Sequence, residues 1–261
     1  MPYTLLTAVF IVSGVNDMGV LFTEQMFNDA MQTVIHSEHE RYNIGTYSEG
    51  TLHAVLKYAS EPDKAYHEFS VCGYIADIFK NGVITEIQTR NFRNLNKKLS
   101  AFLPLYKVNI VFPVACVKYI SVLNGETGEM SKERRSPKRE NAYSILPELY
   151  FIRDHLKDPN LTIHLCFTEL VEYRMTNPKR KTRLMRFDRV PKRLISVVKI
   201  GCDDHSLLLP CDLQGEFTSA QLSKKTGLRG VRLSGAIKVL ESVGAIRLCG
   251  KKGRANLYEI I

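Results

Sequence analysis

Residues 69–89 read FSVCGYIADIFKNGVITEIQT, and this stretch decides the fold. Asn81-Gly82 is the dipeptide favoured by a two-residue hairpin turn, because both turn positions need positive φ. With that turn Lys80 faces Val83, opposed residues sum to 163, and Asp77 stands opposite Glu86. Opposed side chains of a hairpin have Cβ atoms ~4.5–5.5 Å apart, and like charges at that spacing repel. A divalent cation between the carboxylates relieves the repulsion. Gln88, two residues on, shares the face of Glu86. The runs 71–78 and 83–87 are apolar on both faces, which argues for burial. Two solvated charges on an exposed face are the alternative.

Upstream, apolar spacing predicts a helix over 48–60. It carries Glu49, His53 and Lys57 at i, i+4 and i+8, one stripe of the helix. Each has an ordinary alternative: Glu49 can close a capping box with Thr46, His53 can pack, and Lys57 can face solvent. Another helix is expected over 18–36. The apolar run 5–15 is shorter than the ~20 residues that span a bilayer and has no basic flank like that of a signal peptide. Downstream the pattern predicts a helix over 94–106, one or two strands over 108–122, a polar loop over 124–141, a helix over 144–156 and a strand over 161–172. The dense basic run 132–139 contains Arg134, Arg135 and Lys138, suited to phosphates or to a solvated loop.

An acid in one strand, an acid-x-polar pattern in the next and an acid on the preceding helix together resemble the PD-(D/E)XK nuclease superfamily. Asp77 matches the first acid, Glu86-Ile87-Gln88 the second motif and Glu49 the helix acid, over roughly residues 47–167. The resemblance implies a mixed sheet flanked by helices. It also implies Mg²⁺ (or Mn²⁺) held by Asp77 and Glu86, and hydrolysis of DNA phosphodiesters. Gln88 stands where the family usually has Lys; some members with Gln there still cut, and Lys57 could reach the site from the helix.

Near the C-terminus, Thr218-Ser219-Ala220-Gln221 is a capping box opening a short helix that Gly227 ends. A second helix follows, with Leu233, Ala236, Ile237 and Leu240 as its apolar stripe. Ser234, Gly235 and Lys238 are expected on its outer face, with Arg229 and Arg232 in its first turn. Two strands around Lys251, Lys252, Gly253 and Arg254 complete a pattern that resembles the winged helix-turn-helix family. The resemblance implies a second helix in the DNA major groove and a basic wing on the backbone. Winged helices also mediate dimerisation, so a homodimer is an open alternative.

Charge is uneven. From Arg174 onward there are 19 Lys and Arg against 7 Asp and Glu, a balance of +12; the remainder has 17 against 20. Such asymmetry fits a polyanionic partner. The six cysteines have no zinc-knuckle or redox-pair spacing, which fits a reduced cytoplasm. The expected fold is α/β, a restriction-endonuclease-like mixed sheet over 1–176, a basic linker over 177–193 and a small winged-helix domain over 194–261. The expected function is metal-dependent DNA endonuclease, with no membrane partner. A non-catalytic DNA-binding regulator on a degenerate nuclease fold is the alternative.

Overall fold

A computed structural model describes residues 21–41, 50–177 and 180–261. Asn81 and Gly82, at φ 50 and 73, join β2 (Tyr74–Lys80) to β3 (Val83–Ile87). The ladder pairs Lys80 with Val83, Phe79 with Ile84 and Ile78 with Thr85, the register expected from the turn. A second tight turn at Cys72 and Gly73, also at positive φ, adds β1 (His67–Val71) outside β2. The stretch 69–89 therefore holds parts of three strands, not two.

After β3, helix α3 (Leu95–Phe102) crosses over to β4 (Lys107–Leu123), which pairs parallel with β3. The apolar stretch 108–122 is one long strand. It pairs parallel with β6 (Leu161–Asn177), and β6 pairs antiparallel with β7 (Arg180–Ile200). The mixed sheet runs β1-β2-β3-β4-β6-β7, with short β5 (Arg134–Arg135) on β4. Helices cover both faces. On one, α1 (Glu24–Arg41) and α2 (Thr51–Ser60) pack Phe27, Leu52, Val55 and Leu56 against Ile87, Val111, Cys166 and Leu170. On the other, Leu95, Leu99 and Phe102 of α3 share a core with Ile84, Ile110, Phe112 and Leu165. The alternation of Ile110 and Phe112 with Val111 is the period of two that a strand buried on both faces requires. Among the described residues no helix is long and apolar enough to cross a membrane.

The predicted helix over 144–156 is a chain of short turns, with only α4 (Leu146–Leu149) fully helical between 3₁₀ segments Ala142–Ile145 and Tyr150–His155. Part of the supposed loop over 124–141 pairs with β4, at Tyr119–Arg135 and Ile120–Arg134. The larger correction concerns 177–193. Its described residues are the end of β6 at Asn177 and, over 180–193, most of β7, not a linker. Its Lys, Arg and Pro residues suit an edge strand, where charge and a missing donor discourage further pairing.

The last segment forms β8 (Glu216–Thr218), α5 (Ser219–Thr226), α6 (Gly230–Val243), β9 (Ile246–Lys252) and β10 (Ala255–Ile260), with strand order β8-β10-β9. The predicted capping box is present in both directions between Thr218 and Gln221. This segment shares one core with the large sheet's α3 side: Leu222, Ala236, Ile237 and Leu240 join Leu146, Leu149 and Ile152. Gly235, expected on an open face, packs against Tyr150. A Cβ added there would meet the Tyr150 Cβ at 3.7 Å, an ordinary contact. Gly235→Ala is therefore expected to stabilise the protein by ~0.5–1 kcal/mol through helix propensity, read as a higher urea midpoint at unchanged slope. A lower midpoint would show that the α6–Tyr150 contact has no room for a methyl group.

Candidate active site

The β2–β3 ladder stops at Ile78–Thr85; the next pair in the same register is Asp77 with Glu86. Asp77 Oδ2 accepts the Ile87 N–H at 2.7 Å and lies 3.5 Å from His53 Nε2, on α2. Glu86 has no exposed surface. Its two oxygens accept from Lys98 Nζ, on α3, at 3.0 and 2.8 Å. The third Lys98 proton goes to the Ile75 carbonyl at 2.7 Å. The carboxylates thus sit where β2 and β3 part, with α2 reaching in from one layer and α3 from the other.

Electrostatics push the two acids apart. Burial raises the Glu86 carboxyl, Asp77 raises it further and Lys98 opposes both, leaving it pushed up to about 7. Burial also pushes Asp77 upward, but the hydrogen bond and charge of His53, the Ile87 N–H and Lys98 outweigh it, so Asp77 is held below its ordinary value. One acid that keeps a proton near neutrality beside one that does not is the arrangement from which acid–base and metal sites are made.

Asp77, Glu86, Gln88, Lys98 and His53 line a cavity of about 370 Å³. Gln88 is half-buried in that wall, with its N–H donating to the Val111 carbonyl at 2.9 Å. Lys57 is buried on α2, with Nζ 2.6 Å from Glu68 of β1. Glu49, with its Thr46 alternative, lies outside the described residues, as does the apolar run 5–15. Among the described residues no group of three or more His, Cys, Asp or Glu is placed to hold a metal ion. Two hard carboxylates match Mg²⁺, which uses one or two and keeps several waters, better than a four-ligand zinc site. For such an ion to take Glu86, Lys98 must yield one of its oxygens.

Lys98 was the residue that local motif spacing missed. It stands 12 residues beyond Glu86, beside the Leu95–Leu99–Phe102 stripe of α3. The available signal was topological: a helix joining neighbouring parallel strands lies over one sheet face, so a Lys beside its apolar stripe can meet an acid on that face.

The basic residues fall into separate places. Arg134, Arg135 and Lys138 are exposed on and after β5; Arg229, Arg232 and Lys238 are exposed on or before α6; Lys251, Lys252 and Arg254 are exposed at the β9–β10 turn. Lys238 is not turned fully outward, since its Nζ lies over the Tyr150 ring at 5.7 Å. Most of the C-terminal positive balance belongs to the large sheet. Residues 180–200, the span of β7, hold 8 Lys and Arg against 1 Asp, whereas 201–261 hold 9 against 6.

The raised Glu86 carboxyl has a signed consequence. The folded chain holds a proton that the unfolded chain releases above the ordinary value of 4.5. Stability from this group is full below that pH and is lost as pH rises through about 7. Lys98 limits the loss by favouring the ionised form. Lys98→Met is therefore expected to be destabilised relative to the parent by ~2–3 kcal/mol more at pH 9 than at pH 6, at ~1.4 kcal/mol per unit. Urea midpoints across pH check this, and a deficit that does not change with pH would reject the ion pair as its source.

A family model described as "Domain of unknown function (DUF8091)" matches residues 50–201, from the start of α2 to the end of β7. An uncharacterized protein of Treponema pallidum (strain Nichols) is 30% identical over 220 residues, which is 82% of this chain and 86% of that protein. No solved structure gives a significant match. The family match takes in the whole mixed sheet and the acidic site and stops before the C-terminal unit, and on it the chain belongs to the DUF8091 family.

Proposed function

We propose that this protein is a metal-dependent DNA nuclease of the PD-(D/E)XK type, with Asp77 and Glu86 as the Mg²⁺ or Mn²⁺ ligands and Lys98 as the cation usually carried by the second motif. The observation that carries it is the Lys98 ammonium at 2.8 and 3.0 Å from Glu86, beside Asp77 and at the wall of a cavity. A lysine from the crossover helix brings the same charge to the same carboxylate that a strand lysine would. Bound there, Mg²⁺ would polarise a phosphate and lower the pKa of its water. His53 holds the Asp77 carboxylate in place. Lys98 supplies fixed positive charge beside the site, where developing negative charge on a phosphoryl group needs it. Gln88 can hold a water by hydrogen bonding but adds no charge.

A second reading, a non-catalytic DNA-binding regulator, is favoured by one specific feature. All three Lys98 protons are committed within the protein, two of them to Glu86, as in a purely structural ion pair.

Incubation with plasmid and with single-stranded DNA in Mg²⁺ or Mn²⁺ separates the two. Cleavage is expected to be lost in EDTA and in Asp77→Asn and Glu86→Gln, to fall by ~10²–10³ in Lys98→Ala, and to persist in Lys57→Ala. Intact DNA under every condition, from a parent that binds it, establishes the regulator instead.

For the C-terminal unit we propose a winged helix-turn-helix that touches the DNA backbone. It is supported by the β8-β10-β9 sheet around α5 and α6 and by the exposed Lys251, Lys252 and Arg254. Reversing those three charges is expected to weaken duplex binding across sequences and to make the salt slope shallower by up to ~0.9 per lost phosphate contact. An unchanged slope removes the wing from the DNA interface.

A further inference from the structure

We infer that the groove between the N-terminal end of α2, the residues following β3, and β7 binds a single strand of DNA, with its phosphates on Arg90, Arg186 and Arg189 and a base laid on Phe187. The inference rests on the nuclease proposal for its substrate class, while the binding itself needs no metal.

The groove is a cavity of about 610 Å³ whose walls include His53, Arg90, Arg186, Phe187, Asp188 and Arg189. It runs into the acidic site, because His53, Thr89 and Arg90 also line the smaller cavity of Asp77, Glu86 and Lys98. A strand lying in the larger cavity is led to the two carboxylates.

Its wall is built by an irregularity in β7. Tyr173 pairs with Asp188 and Arg174 with Arg186, so Phe187 is an extra residue, a β-bulge. In a regular strand neighbours alternate between faces, and only half of a four-residue run could face one groove. The bulge lets Arg186, Phe187, Asp188 and Arg189 all line it, and re-aiming side chains is what bulges beside sites do.

The charges in the wall ask for an anion. Its two carboxylates are engaged: Asp188 Oδ1 accepts the Thr51 N–H at 3.1 Å and Asp188 also takes the Thr51 hydroxyl, tying β7 to the start of α2. Glu68 holds Lys57 at 2.6 Å. Among the described residues none of the three arginines makes an ion pair. Burial, and then the nearby charge of Arg186 with that of Arg90 behind it, pull the Arg189 guanidinium below its ordinary value, against the opposing pull of Glu140 and Glu172. Arginine cannot shed its proton in a protein, and a bound phosphate would relieve the crowding of like charge. Protection of an edge strand explains charge along β7 but does not require Arg186 and Arg189 to line one groove with Arg90.

Phe187 decides between strand and duplex. It is 40% exposed in the middle of this basic wall. A duplex keeps its bases stacked on each other and turns phosphates outward, whereas a single strand offers base faces to an aromatic ring. Arginine on the backbone with an aromatic under a base is the sequence-tolerant way of holding single strands.

The test is fluorescence anisotropy of the full chain in EDTA, with a labelled twelve-residue oligothymidine and a blunt duplex of equal length. The oligothymidine is expected to bind more tightly. Arg186→Glu should weaken it at least tenfold and make the salt slope shallower by ~0.7 per lost contact. Phe187→Ala should weaken it about tenfold with the slope unchanged, and Phe187→Tyr should restore it. Parental binding by Arg186→Glu and Phe187→Ala overturns the inference, as does a duplex preference that Phe187→Ala leaves alone. With metal absent, the two proposals fail separately. Binding that depends on this groove, in a protein that never cuts, supports the groove and sinks the nuclease. Metal-dependent cutting that Asp77→Asn abolishes, with oligothymidine binding indifferent to Arg186 and Phe187, does the reverse.

Discussion

A carboxylate without exposed surface has to be compensated where it stands, and Glu86 is compensated by Lys98. This pair is the constraint on which the site and much of the sheet depend. Lys98 reaches Glu86 because α3 lies against the sheet face that carries Ile84 and Glu86, with Leu95, Leu99 and Phe102 buried beneath it. The ammonium also ties α3 to β2 through the Ile75 carbonyl. One side chain thereby links three successive elements of the fold. Breaking such a pair on one side leaves a buried charge uncompensated, which is why the helix position and the ionisation of Glu86 cannot be varied independently.

Across the sheet, Asp188 does for α2 what Lys98 does for α3. Thr51 begins the helix with an orphan backbone N–H, and Gly50 before it has no side chain to cap it. The cap is supplied from β7, 137 residues away in sequence, by the Asp188 carboxylate. A remote cap fixes β7 against α2 and so sets the width of the groove between them. The side chains that make the site, His53 on α2 and Lys98 on α3, are therefore positioned by helices that charged contacts and apolar packing together hold to the sheet.

What could be read from the sequence follows the range of the interactions. The Asp77–Glu86 pairing is local: a two-residue turn and a period of two place the acids opposite each other without reference to the rest of the chain. The capping box at Thr218 and Gln221 was legible for the same reason, since both partners lie within one helical turn. Lys98 was not, because its place depends on how a crossover helix docks. Lys57, chosen for its spacing from Glu49 and His53, belongs to the same helix but is turned to Glu68. The stretch 177–193 misled for a different reason. Its Lys, Arg and Pro residues are those of a linker and equally those of a charged edge strand, and only the pairing of β6 with β7 distinguishes the two. Gly235, expected on the outer face of its helix, packs against Tyr150 instead, a contact between segments far apart in sequence.

The charge of β7 changes what the C-terminal unit has to do. Along the sequence, the +12 balance from Arg174 onward falls on an expected basic linker and a small C-terminal domain. In the fold, the larger excess lies on the edge strand β7, and the C-terminal unit is nearly balanced. That unit is also not tethered. Ala236, Ile237 and Leu240 share a core with Leu146, Leu149 and Ile152, and Asn141 Nδ2 donates to the Thr226 carbonyl at 3.0 Å. Detaching it would expose several fully buried leucines, each worth ~1.5–3 kcal/mol of burial. Its basic β9–β10 turn is accordingly held at a fixed distance from the groove. A flexible tether lets two binding surfaces find their partners independently, at an effective concentration set by its length; a shared core removes that freedom and replaces it with geometry. On the proposed function, a nucleic acid engaged by both surfaces would span a distance set by the packing of α6 on Tyr150.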